Sequence, residues 1–342
     1  MKKFLSKKFS NKAIIEVQFG WIFSLIAGLI IFAFIMSLVF NSQKHANDAL
    51  NVDVGEKLST SIKGNLQVSD SYNEITMLSS AKISFACDSD LKTTTMRVND
   101  APLAERFTDV IFAPLVLTTN KIQVGVKDFS LAFIISRFTY ITSPNTAYIL
   151  YYKAQTPASA EETMANQLYD LLPVNISKKM AGTPALLAGY TSDYDHYKII
   201  CFNNACPTAA GTNYIKVEAV NNYLDGYGNV TWHYGSDTKS SFLTSSGLIG
   251  AIFSDNKQYY DCEMARAYSF MDIKRELQYN RIEQMTPDLN QYNFECVPLL
   301  AQHEYILNNM TNARDAALLY NDAVNLRQAN LDSGFMGCPK VS

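Results

Sequence analysis

Residues Phe19 to Phe40 read FGWIFSLIAGLIIFAFIMSLVF, 22 residues without a charge. Ser24 and Ser37 carry its only polar side chains, and a hydroxyl in a helix bonds back to a carbonyl one turn earlier. At about 1.5 Å per residue the run covers about 30 Å, the depth of a bilayer's hydrocarbon core. Lys2, Lys3, Lys7, Lys8 and Lys12 precede it, whereas just after it stands only Lys44. Basic residues favour the cytoplasmic side. The bias therefore predicts a cytoplasmic stub (1–18), a transmembrane helix (19–40) and the remaining chain outside.

A cleaved secretory signal has a shorter apolar stretch, about 7–15 residues, and a small-residue cleavage site. Asn41-Ser42-Gln43-Lys44-His45-Ala46 supplies no such site, so the span reads as a retained anchor. The ectodomain is expected to be folded. Of the whole chain, 48% is hydrophobic and only 18% charged, which does not suit a disordered segment. A net charge of −3 gives no footprint for nucleic acid. The 20 tyrosines and 19 phenylalanines suit β-structure and rigid core packing.

All six cysteines (Cys87, Cys201, Cys206, Cys262, Cys296, Cys338) follow the apolar run. An even number on the outer side of a membrane reads as a disulfide set. Six cysteines permit about 15 pairings. Cys201-Phe-Asn-Asn-Ala-Cys206 is the easiest pair to close. Zinc would want two close pairs with histidine or cysteine partners, and only this close pair exists.

Past the membrane run, 41–80 is polar and helix-compatible and reads as a stalk. From 81 the pattern changes to period two, in Lys82–Cys87 and again in Lys121–Lys127, as half-buried strands require. Phe107–Pro114 reads as a strand or its lead-in. Thr146–Tyr152 (TAYILYY) is continuously apolar and aromatic, as expected of a strand covered on both faces. Pro157 and Ser159 then open a helix with Glu161 and Glu162 in its first turn, where they suit the dipole. Met164, Leu168, Leu171 and Leu172 stripe that helix and Pro173 ends it. His196–Phe202 returns to strand, giving strand–helix–strand order. Tyr214–Val220, Asn229–Tyr234 and Leu248–Phe253 (LIGAIF) read as three further strands, with Asp225–Asn229 a glycine-rich turn.

From 256 the chain reads as helical. One helix covers Tyr259–Met285, with Met264, Ala267, Phe270, Met271, Ile273 and Leu277 on it. Thr286-Pro287-Asp288 reads as a breaker. A second, long helix covers Val297–Leu331, with Ile306, Met310, Ala313, Ala317, Tyr320, Val324 and Leu331 in steps of three, four and seven. An antiparallel hairpin would bury both stripes. It would bring Cys262 beside Cys338 and leave Cys296 for Cys87. The expected class is thus α+β: an N-terminal transmembrane helix, a mixed α/β ectodomain (81–255), and a C-terminal helical hairpin and tail (256–342).

Candidate chemistry is sparse. His45 follows the membrane helix, His303 flanks the apolar stripe of the last helix, and His233 alternates along a strand. His196, in Asp193-Tyr194-Asp195-His196, has carboxylates nearby, as a general base would; an extracytoplasmic hydrolase is the enzyme reading, and a structural loop is the alternative. No G-x-S-x-G, phosphate-binding glycine loop or H-E-x-x-H occurs. Asp225–Asn229 lacks the alternating carboxylates of a calcium loop. No catalytic, cofactor or metal site is therefore assigned. Asn175, Asn229 and Asn309 stand in N-x-S/T sequons and are candidate glycosylation sites.

Lys12-Ala13-Ile14-Ile15-Glu16-Val17-Gln18 resembles the class III leader of archaeal pilins. The resemblance implies cleavage after Ala13 and a helix that packs into a filament core; otherwise Glu16 and Gln18 stand at headgroup level. Separately, Gln18–Gly28, Phe112-Ala113-Pro114, Arg137–Ser143 and Cys338-Pro339 look like a group of uncharacterised single-pass membrane proteins of small-genome archaea. That resemblance implies an anchored topology and carries no activity. The expected partners are the lipid bilayer and an extracellular protein or envelope component, with no nucleic acid.

Overall fold

The computed structural model describes residues 11–155, 158–194, 196–208, 212–234, 236–292, 294–310 and 315–340. Lys2, Lys3, Lys7, Lys8, Pro157, Asp195 and Ala313, all used in the reading above, lie outside the described residues, as do the side chains of Lys12 and Ala13. The chain divides into two units, at Asp53/Val54.

The first unit belongs to α1 (Asn11–Asn65), a single helix. It is long and apolar enough to cross a membrane, and its most apolar window is wholly exposed. Trp21, Phe23, Ile30, Phe34 and Phe40 all face outward. A soluble protein does not leave such a surface uncovered, so lipid is its fitting solvent.

The second unit opens with the last turns of the same helix, where Leu58, Ile62 and Ser59 are buried. Six strands follow: β1 (Tyr72–Asp88), β2 (Thr93–Val98), β3 (Glu105–Phe107), β4 (Val110–Phe112), β5 (Val116–Ser130) and β6 (Ile134–Thr142). They form a sheet in the order β3-β2-β1-β5-β6-β4. All its pairs are antiparallel except β4 with β6. β1 thus begins inside the stretch that reads as a stalk. Its first half reads as polar because none of its first nine residues, Tyr72 to Ser80, is buried.

A second sheet uses β7 (Thr146–Tyr151), α2 (Ala160–Leu171), β8 (Ser177–Ala181), α3 (Pro184–Asp193), β9 (His196–Phe202), β10 (Tyr214–Ala219), β11 (Tyr227–His233) and β12 (Asp237–Leu243). Its order is β12-β11-β10-β9-β7-β8. β8, β7, β9 and β10 run parallel, and β11 and β12 are antiparallel additions. Every residue of β7 is buried, as its apolar run predicts. Parallel crossovers are right-handed. Because the chain steps one way from β7 to β8 and back past β7 to β9, α2 and α3 fall on opposite faces. Met164, Ala165 and Leu168 of α2 pack with Tyr148 and Leu150, while Leu187 of α3 packs with Ala147, Ile149 and Tyr151. Ser159 caps α2, accepting from the Glu162 N–H at 3.1 Å, as its sequence signal indicates.

α4 (Thr244–Phe253) packs on both sheets with all ten residues buried. It corrects the expectation of a strand at Leu248–Phe253. A segment apolar on every side has no periodicity to separate strand from helix, and here the buried helix wins. Gly250 lets a ring approach it: a Cβ there would sit 2.8 Å from the Phe112 ring. Phe112 in turn meets Phe138 edge-on at 5.0 Å, and Phe253 stacks on Tyr148 at 5.1 Å. Such ring pairs add about 0.5–1.5 kcal/mol each beyond burial.

The C-terminal region holds α5 (Lys257–Tyr292), α6 (Val297–Asn309) and α7 (Ala316–Phe335). α5 continues through Pro287, where a breaker was expected; the Thr286 hydroxyl donates to the Ile282 carbonyl at 2.8 Å in the turn that proline interrupts. The expected single helix from Val297 to Leu331 is two helices, with Asp315 capping the second through the Ala317 and Leu318 N–H groups. α6 packs on α5 and on α7.

The bridges are Cys87–Cys262, Cys201–Cys206 and Cys296–Cys338. The short pair stands as expected, whereas the other two exchange partners. The physical reason is the interruption between α6 and α7. Cys338 follows α7, and the Cys296–Cys338 bridge joins that end to the residue before α6. That leaves Cys262, on the first turns of α5, for Cys87 at the end of β1.

Candidate ligand cleft

Around the start of β9 lies a cleft of about 920 Å³. One wall is α3, which presents Pro184, Leu187, Ala188 and Thr191 at helical spacing. Another is the segment after β9, whose exit is fixed by the Cys201–Cys206 bridge before Pro207 and Thr208 reach the cleft. Val116, Leu117 and Thr118 of β5 and Tyr234, just past β11, complete the enclosure. β9 contributes His196, Tyr197, Lys198 and Ile199.

Lys198 is the charged residue on the floor, and it is fully engaged. Its Nζ donates to the carbonyls of Ile252 (3.2 Å), Phe253 (2.9 Å) and Ser254 (3.1 Å). It also pairs with Asp255 Oδ1 at 2.9 Å. A cation at the C-terminus of α4 meets the negative end of the helix dipole and satisfies carbonyls that have no helical partner. The other Asp255 oxygen accepts from the Leu115 N–H at 2.8 Å. Charge on the floor is therefore cancelled. Burial, with Asp255 adding to it, raises the pKa of the Tyr234 phenol, so it stays a neutral hydroxyl donor.

His196 is exposed at the mouth of this cleft. Among the described residues its side chain has no hydrogen-bonded partner, carboxylate or hydroxyl. The Ser192 hydroxyl donates instead to the Gly189 carbonyl at 2.7 Å. His233 stacks on Tyr214 with centroids 4.6 Å apart and bonds Asp237 through Nδ1. His303 is fully buried. Its Nδ1–H donates to the Leu299 carbonyl at 2.7 Å and its Nε2 meets the Asn330 side chain at 3.1 Å, tying α6 to α7. Asp225 accepts from the N–H and hydroxyl of Ser245, so the turn serves as a cap for α4. Among the described residues no three His, Cys, Asp or Glu side chains stand where they could hold a metal. Asn175 and Asn309 are exposed, whereas Asn229 is half-buried in β11 between β10 and β12.

One buried charge cluster escaped sequence reasoning. Glu263 and Arg266 lie one turn apart on α5 and pair with each other while buried. Glu263 also accepts from the Thr94 hydroxyl (2.5 Å) and the Ile111 N–H (3.0 Å). Arg266 donates to the Asp109 carbonyl at 2.6 Å. Burial pushes the Glu263 carboxyl up to about 7, although Arg266 and the hydrogen bonds pull it down. The cluster pins α5 to the first sheet beside the Cys87–Cys262 bridge; the i, i+3 spacing of opposite charges was its only sequence signal.

Compared with family models, curated proteins and solved structures, the chain has no match.

Proposed function

We propose that the chain is a single-pass, membrane-anchored cell-surface protein of a prokaryote, most simply an archaeon. Its N-terminus is cytoplasmic, and its disulfide-stabilised domain stands outside and serves binding or envelope structure. One observation carries this reading: an uncovered apolar helix is followed by three disulfides, all C-terminal to it. Disulfides persist in oxidising compartments, and the lysine bias before the run agrees with that orientation. The lipid bilayer is one partner; an extracellular protein or envelope component is the other.

The test is the intact mass of the protein from its own membrane, before and after reduction, with protease added to whole cells. A mass about six daltons below the reduced chain, with the domain cleaved from outside, is the expected result. A domain protected in intact cells and cut only after lysis would sink the outward placement. Lys12-Ala13 ahead of the apolar run supports a second reading, a pilin-like filament subunit. It requires a mature chain that lacks residues 1–13, which the same mass would report.

A further inference from the structure

We propose that the cleft around the start of β9 is a binding site for a short neutral oligosaccharide. The proposal deepens the reading of the domain as one that binds, by naming the ligand class.

The lining selects for that chemistry in three ways. First, among the described residues its floor offers no free charge. Lys198 is consumed by three carbonyls and Asp255, and Asp255 by Lys198 and the Leu115 N–H. An anionic or cationic ligand would meet no uncompensated partner on that floor; His196, at the mouth, is the other titratable side chain of the described lining outside the tyrosines. Second, it offers neutral hydrogen-bonding heads on ring surfaces. Tyr197 and Tyr234 remain 44% and 38% exposed. Among the described residues their hydroxyls, and that of Tyr151, have no protein partner. Asn213 and Thr208 add an amide and a hydroxyl at the rim. A sugar presents both complements, hydroxyls at its edge and a face of C–H bonds that packs on an aromatic ring. Third, β9 and β7 give an extended peptide no main-chain edge. β9 is hydrogen-bonded to β7 and β10, and β7 to β8 and β9, so strand addition is closed there; Val116–Thr118 of β5 pair with β1 alone, and the peptide arm of the test below reads that edge. The volume lies in the range of small-ligand sites.

The wall is also built to hold its shape. α3 is capped by Thr183 on the Leu186 N–H at 3.3 Å, and the Cys201–Cys206 bridge pins the opposite side.

The experiment uses the full chain in a polyoxyethylene detergent, because sugar-headed detergents would compete. Titration calorimetry is run with maltotriose, cellotriose, mannotriose and chitotriose, with trigalacturonate as the charged counterpart and a proline- and threonine-rich peptide as control. At least one neutral sugar is expected to bind. Tyr197→Ala should weaken it by about tenfold through loss of a stacking face, and Tyr234→Phe by about fivefold through loss of one hydrogen bond. Near-ultraviolet circular dichroism checks that both variants keep the fold. No binding by any neutral sugar, equal binding in both folded variants, or tighter binding of the uronate or the peptide would each overturn the proposal. These outcomes are independent of where the mass and protease experiments place the domain.

Discussion

Lys198 Nζ lies 2.9 Å from Asp255 Oδ1 and caps three successive carbonyls at the end of α4. This one side chain joins β9 of the second sheet to the buried helix that packs on both sheets. It therefore sits where the cleft floor and the core are the same structure.

Replacing Lys198 with methionine keeps the stem but removes the ammonium. Three carbonyls and a carboxylate then lose their donor, and breaking such a pair costs about 3 kcal/mol. Thermal unfolding of the full chain in detergent should show a clearly lower midpoint. An unchanged midpoint would mean that water substitutes for the ammonium.

Two glycines predict opposite signs. A methyl group at Gly250 would meet the Phe112 ring at 2.8 Å, so Gly250→Ala should destabilise by about 1–3 kcal/mol through overpacking. Gly189, inside α3, has nothing within 4 Å of its ideal Cβ. Gly189→Ala should stabilise by about 0.5–1 kcal/mol, because alanine loses less backbone entropy in a helix. Denaturant midpoints of the two variants read both effects.

Glu263 makes stability depend on pH. Its carboxyl titrates near 4.5 when unfolded and is held up to about 7 in the fold. Between those values the native state binds more protons than the unfolded state, so stability is full below about pH 4.5 and falls as pH rises to about 7, by an amount on the order of 3 kcal/mol. Unfolding free energies measured from pH 4 to 8 should carry that slope, and Glu263→Gln should flatten it. A slope that survives in the variant would assign it to another group.

The three bridges should differ in weight. Cys87–Cys262 spans 175 residues, Cys296–Cys338 spans 42, and Cys201–Cys206 only 5. Loop-closure entropy gives about 5, 4 and 2 kcal/mol respectively. Paired cysteine-to-serine variants should lower thermal stability in that order. Peptide mapping under non-reducing conditions checks the pairing itself.

Much of the architecture could be read locally. Period-two alternation in Lys82–Cys87 and Lys121–Lys127 marked strands that became β1 and β5. Ser159, Glu161 and Pro173 bounded α2 within a residue or two of its observed ends. The misreadings arose where local pattern is silent. β8 (SKKMA) carries two lysines and one small apolar end, so nothing in it announces a strand; it is held by five pairs to β7. In the cleft, His196 drew attention because of its neighbours in sequence. Residues that line it with Tyr197, Leu117 and Tyr234 among them, come from elements far apart in the chain.

Composition and short periods were enough to read a helix long and apolar enough to cross a membrane, the α+β class, the disulfide character of the domain and the absence of a known catalytic motif. Each of these depends on composition or on periods of two to four residues, which act through backbone geometry nearby. Long-range packing settles that LIGAIF is a helix, that Cys296 meets Cys338, and that Lys198 and Asp255 cancel on a cleft floor. Those outcomes depend on which surfaces pack together. Packing compares the burial of whole faces across distant segments, and no local period encodes it.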